Sequence, residues 1–238
     1  MRGLSRVQSS IRLSTSGPKT LNVDSSRPDD VVVVPSSATD VPAGSGIYLY
    51  WIPLGAGGSG FVRFNGRVYE RIEAWIERRR PLDLFHTALE VRLPEGRYVV
   101  ETMWPSPDDE PQMRGVTVSG PVFASWLSIT RLFRYEVRCW RDGLLPDADE
   151  AVGGPRLVTS DEVRARHLLS LTILVPPRIW GRDELGLGEM WNSNSVIAWL
   201  LARSGAPIET LTAPEGGRAP GWDAGLATAR QRRSDRIH

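Results

Sequence analysis

From Met190 to Leu201 the chain reads Met-Trp-Asn-Ser-Asn-Ser-Val-Ile-Ala-Trp-Leu-Leu, a polar cluster that opens onto an apolar segment. Val196 and Leu200 stand four apart, as do Ile197 and Leu201, which is the spacing of a helical stripe that faces a core. Gly205 followed by Pro207 supplies a stop. The spacing therefore predicts a buried helix that starts at Asn192 or Ser193. The first N–H groups of a helix have no intrahelical partner and carry partial positive charge, so such a tip suits a nucleophile or an oxyanion. Asn and Ser also occur there simply as caps. Both readings are open at the level of sequence.

The segments before this helix read mainly as strands. Ile47 to Ile52 is a buried strand. His86 to Arg92 and Tyr98 to Met103 are β-rich and joined through Pro94-Glu95-Gly96, and Val116 to Val122 and Phe133 to Trp140 follow. Phe133, Tyr135, Val137 and Cys139 alternate onto one face, which makes Cys139 a face residue before it is a reactive thiol. A helix is expected from Asp161 to about Leu171, capped by Ser160 or Asp161. Strands first and helices after predict an α+β fold, a mostly antiparallel sheet packed against a helix-rich C-terminal part. Between the first two strands lie a Gly-rich turn at Gly55 to Gly60, a hairpin around Asn65-Gly66 and an amphipathic helix marked by Ile72, Trp75 and Ile76. The Gly-rich turn lacks the Lys-Ser or Lys-Thr of a phosphate-binding loop.

The expected organisation is a flexible arm over residues 1–45, a single domain over 46–227 and a polar, basic tail over 228–238. Val31 to Val34 could form one short strand within the arm. Composition excludes several classes. With 41% hydrophobic and 24% charged residues the chain suits a soluble globular domain, and a net charge of +1 sets up no field toward nucleic acid. One cysteine forms no intrachain disulfide, and His86, His167 and His238 are too scattered for a ligand set, so neither a metal nor a cofactor is expected. No apolar run is long enough to span a membrane, and Arg2 and Arg6 precede no apolar core, so a cytoplasmic protein is expected.

Two strand motifs bear on chemistry. Phe85-His86-Thr87-Ala88-Leu89-Glu90-Val91 is a strand opened by histidine, and Tyr98-Val99-Val100-Glu101-Thr102 carries a carboxylate. With the later Asn-Ser-Asn-Ser helix, this order resembles the circularly permuted branch of the NlpC/P60, papain-like superfamily, which includes YiiX-like and lecithin:retinol-acyltransferase-like proteins. The resemblance covers roughly residues 47–205. It implies His86 as the base, Glu101 as the group orienting it and Ser193 where the family has its nucleophilic cysteine. A serine cannot rest as a thiolate does, so His86 would have to take its proton within ~3 Å. Asn192 and Asn194 could donate to an oxyanion, with Ser195 a further polar group at the tip.

A three-residue loop at Pro94-Glu95-Gly96 would set Leu89 opposite Glu101, placing Glu101 and His86 on opposite sheet faces and Thr102 on the His86 side. Thr102 is then the stand-in for Glu101. Trp180-Gly181-Arg182-Asp183-Glu184 could wall a cleft and bind a carboxylate or phosphate through Arg182, or form a local Arg–Asp pair. Trp222 lies in a turn-rich segment that either covers the same region or anchors the core. The expectation is an NlpC/P60-like protein with a degenerate site that binds a peptide or small ligand. The alternatives are a Ser193/His86 hydrolase or acyltransferase, and an assembly protein that engages a partner through its arm.

Overall fold

The computed structural model of the chain describes residues 44–54, 82–105, 115–126, 133–145 and 147–234, all within the compact unit Ala38–His238. The Gly-rich turn, the Asn65-Gly66 hairpin, the helix around Trp75 and the N-terminal arm expected from sequence lie outside the described residues. In chain order the elements are strands β1 (Gly46–Pro53), β2 (Asp83–Leu93), β3 (Gly96–Met103), β4 (Val116–Pro121), β5 (Arg134–Arg141) and β6 (Arg156–Thr159). Helices α1 (Glu162–Leu171) and α2 (Ser193–Ser204), the short strand β7 (Gly217–Arg218) and helix α3 (Trp222–Ser234) follow. The fold is α+β. The sheet order is β4-β5-β3-β2-β1-β6 with every neighbour antiparallel, and β7 adds a parallel pairing to β2. No helix among the described residues is long and apolar enough to cross a membrane.

Alternation along the strands gives the sheet two different faces. On the first, Leu49, Trp51, Phe85, Leu89, Val91, Val100, Tyr135 and Val137 join Leu168 of α1 and Val196, Ile197, Trp199, Leu200 and Leu201 of α2 in one buried core. On the second, Tyr48, Tyr50, Ile52 and Ala88 form a smaller cluster under Leu145, Ala148 and Ala151.

Helix α2 is enclosed more completely than its apolar stripe implies: every residue from Asn194 to Leu201 is buried. It lies between the sheet and α3 because α3 approaches through Gly225, where a Cβ would overlap the Ser195 carbonyl oxygen and crowd Ala198. Removing one of its large side chains, as in Leu200→Ala, would cost about 2–5 kcal/mol through lost transfer energy and the cavity left behind. Its boundaries follow the sequence signals. Asn192 is the N-cap and Gly205, at φ +74°, the left-handed C-cap. Helix α1 begins after Asp161, whose carboxylate accepts from the N–H groups of Val163 and Arg164.

The C-terminal boundary differs from expectation. Helix α3 continues to Ser234, through the stretch read as a basic tail. Ala224, Thr228 and Ala229 are buried on one side of it, and small residues at helical spacing give little periodic signal in sequence.

Candidate functional site

At the tip of α2 the side chains of Asn192, Asn194 and Ser195 are engaged by the protein's own hydrogen bonds. Asn192 Oδ1 accepts from the N–H groups of Asn194 and Ser195, and Ser195 Oγ accepts from Asn192 N–H, a reciprocal capping box. Asn192 Nδ2 donates to the Pro220 carbonyl at 2.8 Å, and Ser195 Oγ donates to the Gly221 carbonyl at 2.7 Å. Gly221 sits at φ +87°, and a Cβ there would meet the Asn192 amide. Asn194 is buried and uses both ends of its amide. Nδ2 donates to the carbonyls of Phe85 and Pro220, each at 2.9 Å, and Oδ1 accepts from Thr87 Oγ1 at 3.0 Å.

The early strand and the late helix tip therefore meet, but one residue along on each side. Thr87 meets Asn194, where the resemblance implied that His86 would meet Ser193. The cause is geometric. His86 pairs with Ile52, and Ile52 and Ala88 belong to the second sheet face, whereas Phe85, Thr87 and Leu89 point toward the helices. The imidazole and the helix tip lie on opposite faces of the sheet, so the base-and-nucleophile arrangement is not formed. The His86 imidazole makes no hydrogen bond to a described residue, and burial alone pulls its pKa down to about 4. Ser193 is half-buried, and its hydroxyl has no hydrogen bond to a described residue either.

Glu101 and Thr102 exchange the places expected for them. Leu93 pairs with Gly96 across a two-residue turn, not with Arg97, so Leu89 faces Val100. That shift of one residue puts Glu101 on the His86 face and Thr102 on the helix face. Burial raises the Glu101 carboxyl to about 7; Arg138 opposes this and Asp147 reinforces it. Glu101 Oε1 is buried with no hydrogen-bond partner, and so is Thr102 Oγ1.

Its neighbours on that face are better satisfied. Glu90 accepts from Tyr50, Arg92 and Arg97, and Arg138 donates to Glu136 and the Trp104 carbonyl. Two carboxylates in similar settings thus differ because Arg138, which faces Glu101 across β3 and β5, is already engaged.

Arg182 is exposed, lines neither of the two clefts described below, and pairs with no described carboxylate. Asp183 instead folds its own loop, accepting from the N–H groups of Leu185, Leu187 and Gly188. Arg178 pairs with Glu184 at 3.0 Å. Trp180 packs on Tyr135 and Trp104. Cys139 lies on the core face of β5, where burial pushes its thiol up to about 11. No three His, Cys, Asp or Glu side chains cluster as metal ligands among the described residues.

An open cleft of about 510 Å³ lies beyond the 218–222 loop from the helix tip. Trp51 forms its floor, in tilted contact with Trp222 at 5.2 Å between ring centroids. Ile208, Leu211 and Leu226 add apolar walls. A second cavity of about 410 Å³ shares Trp51, Thr212 and Ala213 with the first and continues toward Gly153 and Arg156. The indole N–H of Trp51 is buried with no acceptor. The sequence offers Trp222 as a cover for the Arg182 region or as a core anchor, and gives no sign of this cleft or of Trp51 in it. The alternation of β1 could have paired Trp51 with Leu49 on the core face, yet nothing in the pattern brings the 208–213 loop over it.

No protein-family model, curated protein or solved structure matches this chain.

Proposed function

We propose that this protein is a non-catalytic binding module that holds a peptide or small ligand in the Trp51–Trp222 cleft. The observation that carries the reading is the contrast between two neighbouring places. At the helix tip Asn192, Asn194 and Ser195 are taken up by Pro220, Gly221, Phe85 and Thr87, while the cleft beside it is open and lined by both apolar and charged side chains. Concave, largely apolar sites with a few polar groups are where small ligands bind. Kinship with the permuted NlpC/P60 branch is part of the proposal. Its support is the contact between β2 and the tip of α2 through Thr87 and Asn194. Acyl-transfer chemistry is left out because His86 and Ser193 face away from each other across the sheet.

A thermal-shift screen of small metabolites and short peptides on three forms of the chain tests this. Compounds that raise the Tm of the unmodified protein should act equally on Ser193→Ala and lose their effect on Trp222→Ala. A fluorophosphonate probe should leave Ser193 unlabelled. Labelling of Ser193 that disappears in His86→Ala would overturn the reading, as would a ligand effect abolished by Ser193→Ala and untouched by Trp222→Ala.

A further inference from the structure

One wall of the cleft is a single face of α3, with Trp222, Leu226 and Arg230 at i, i+4 and i+8. At ~1.5 Å of rise per residue that wall is about 12 Å long. Its two ends differ in charge. At the Trp222 end stand Asp223 and Glu189, whose Oε2 accepts from Asp223 N–H at 3.0 Å. Burial raises the Glu189 carboxyl, and Asp223 raises it further. Arg218, which lines the same cleft, and the N–H groups of Asp223 and Ala224 only partly offset this, so two neighbouring carboxylates share one cation there. At the other end Arg230 is exposed and makes no bond to a described residue. The two indoles, Ile208 and Leu211 line the same cleft.

We infer that the cleft takes a short extended peptide with both termini free. Its ammonium group lies against Glu189 and Asp223, an apolar side chain lies over Trp51 and Trp222, and its carboxylate reaches Arg230. At ~3.3 Å per extended residue, about 12 Å fits roughly three or four residues. An ammonium relieves the crowding of the two carboxylates, and a guanidinium accepts a carboxylate through two parallel hydrogen bonds. This inference rests on the binding reading above and names the ligand class for that site.

Calorimetry with alanyl-leucyl-alanine, its N-acetyl form and its C-terminal amide tests it. The free tripeptide should bind, and each block should weaken binding by up to about fivefold, the range for exposed charge pairs. Arg230→Gln should weaken the free peptide similarly and erase the difference made by amidation. Asp223→Asn should do the same for acetylation. Equal binding of free and blocked forms would overturn the peptide-terminus assignment. So would the absence of tripeptide binding while another compound binds in a way that depends on Trp222; in both cases the cleft would remain a binding site. If no compound of any kind is sensitive to Trp222→Ala, the binding reading itself fails.

Discussion

Glu101 and His86 sit on the same sheet face and pull the stability of the fold in opposite directions with pH. The Glu101 carboxyl is raised from 4.5 to about 7. Below 4.5 it is protonated in both folded and unfolded chains and costs nothing. As pH rises from 4.5 to 7 the unfolded chain releases its proton while the folded chain keeps it, so stability falls across that window and stays lower above it. A shift of about 2.5 units corresponds to about 3 kcal/mol at 1.36 kcal/mol per unit.

His86 works the other way. Its pKa is lowered from 6.5 to about 4 by burial, so it is neutral in both states above 6.5. Between 6.5 and 4 the unfolded chain takes up a proton that the folded chain refuses, and about 3 kcal/mol is lost on acidification. Neither group contributes to the other's shift, so the two effects should add. Their opposing slopes nearly cancel in the unmodified chain between about pH 4.5 and pH 6.5, and single substitutions expose them.

The test is urea denaturation followed by far-UV circular dichroism at several pH values, read as the difference between variant and parent, so that groups common to both cancel. Relative to the parent, Glu101→Gln should gain less than about 1 kcal/mol in going from pH 4 to pH 5, and about 3 kcal/mol by pH 8. His86→Gln should show the mirror image, a relative gain of about 2–3 kcal/mol near pH 4.5 that vanishes above about pH 7. A Glu101→Gln difference that does not change between pH 5 and pH 8 would refute the placement of this carboxyl in a buried setting without a free cation. A His86→Gln difference that grows toward alkaline pH would refute the sign of the argument.

Other outcomes follow from the same structure. Asn194→Ala removes three hydrogen bonds, two of them buried, and strands the Thr87 hydroxyl and the Phe85 carbonyl, so chemical denaturation should show a loss of about 3–5 kcal/mol. Ser193→Ala, one residue away, should stay within about 0.5 kcal/mol of the parent. If these two exchange rank, the structural role assigned to Asn194 is wrong. Gly225→Ala adds helix propensity yet drives a methyl into the Ser195 carbonyl; a net loss of about 1–3 kcal/mol in the same assay is expected, and a gain would mean that α3 is free to move away. At pH 8, iodoacetamide should alkylate Cys139 in the folded chain at least about a hundredfold more slowly than in urea, because burial holds it as a thiol. Comparable rates would contradict its place on the core face of β5.

The fold was legible in the sequence where signals were local. Asn192 and Gly205 bracket α2 because a side-chain acceptor and a left-handed glycine satisfy helix ends with no help from distant residues. The strands were legible for the same kind of reason, alternation in Phe133 to Cys139 being the clearest case. The class of fold followed from the order of these elements.

What only the tertiary structure decided was which side each residue faces. Pro94-Glu95-Gly96 is compatible with a two- or a three-residue turn, and β3 carries valine at both 99 and 100, so neither the turn nor the pattern selects a register. Packing does: Leu89 faces Val100 against the helices, and Glu101 and Thr102 change sides as a result. The candidate site failed on the same point. His86 and Thr87 are adjacent in sequence and lie on opposite faces of a sheet, and a strand start in isolation does not say which of them meets the helix. The cleft was least legible of all, because Trp51, the 208–213 loop and α3 come together only through the packing of α2 on the sheet, and no short motif encodes that meeting.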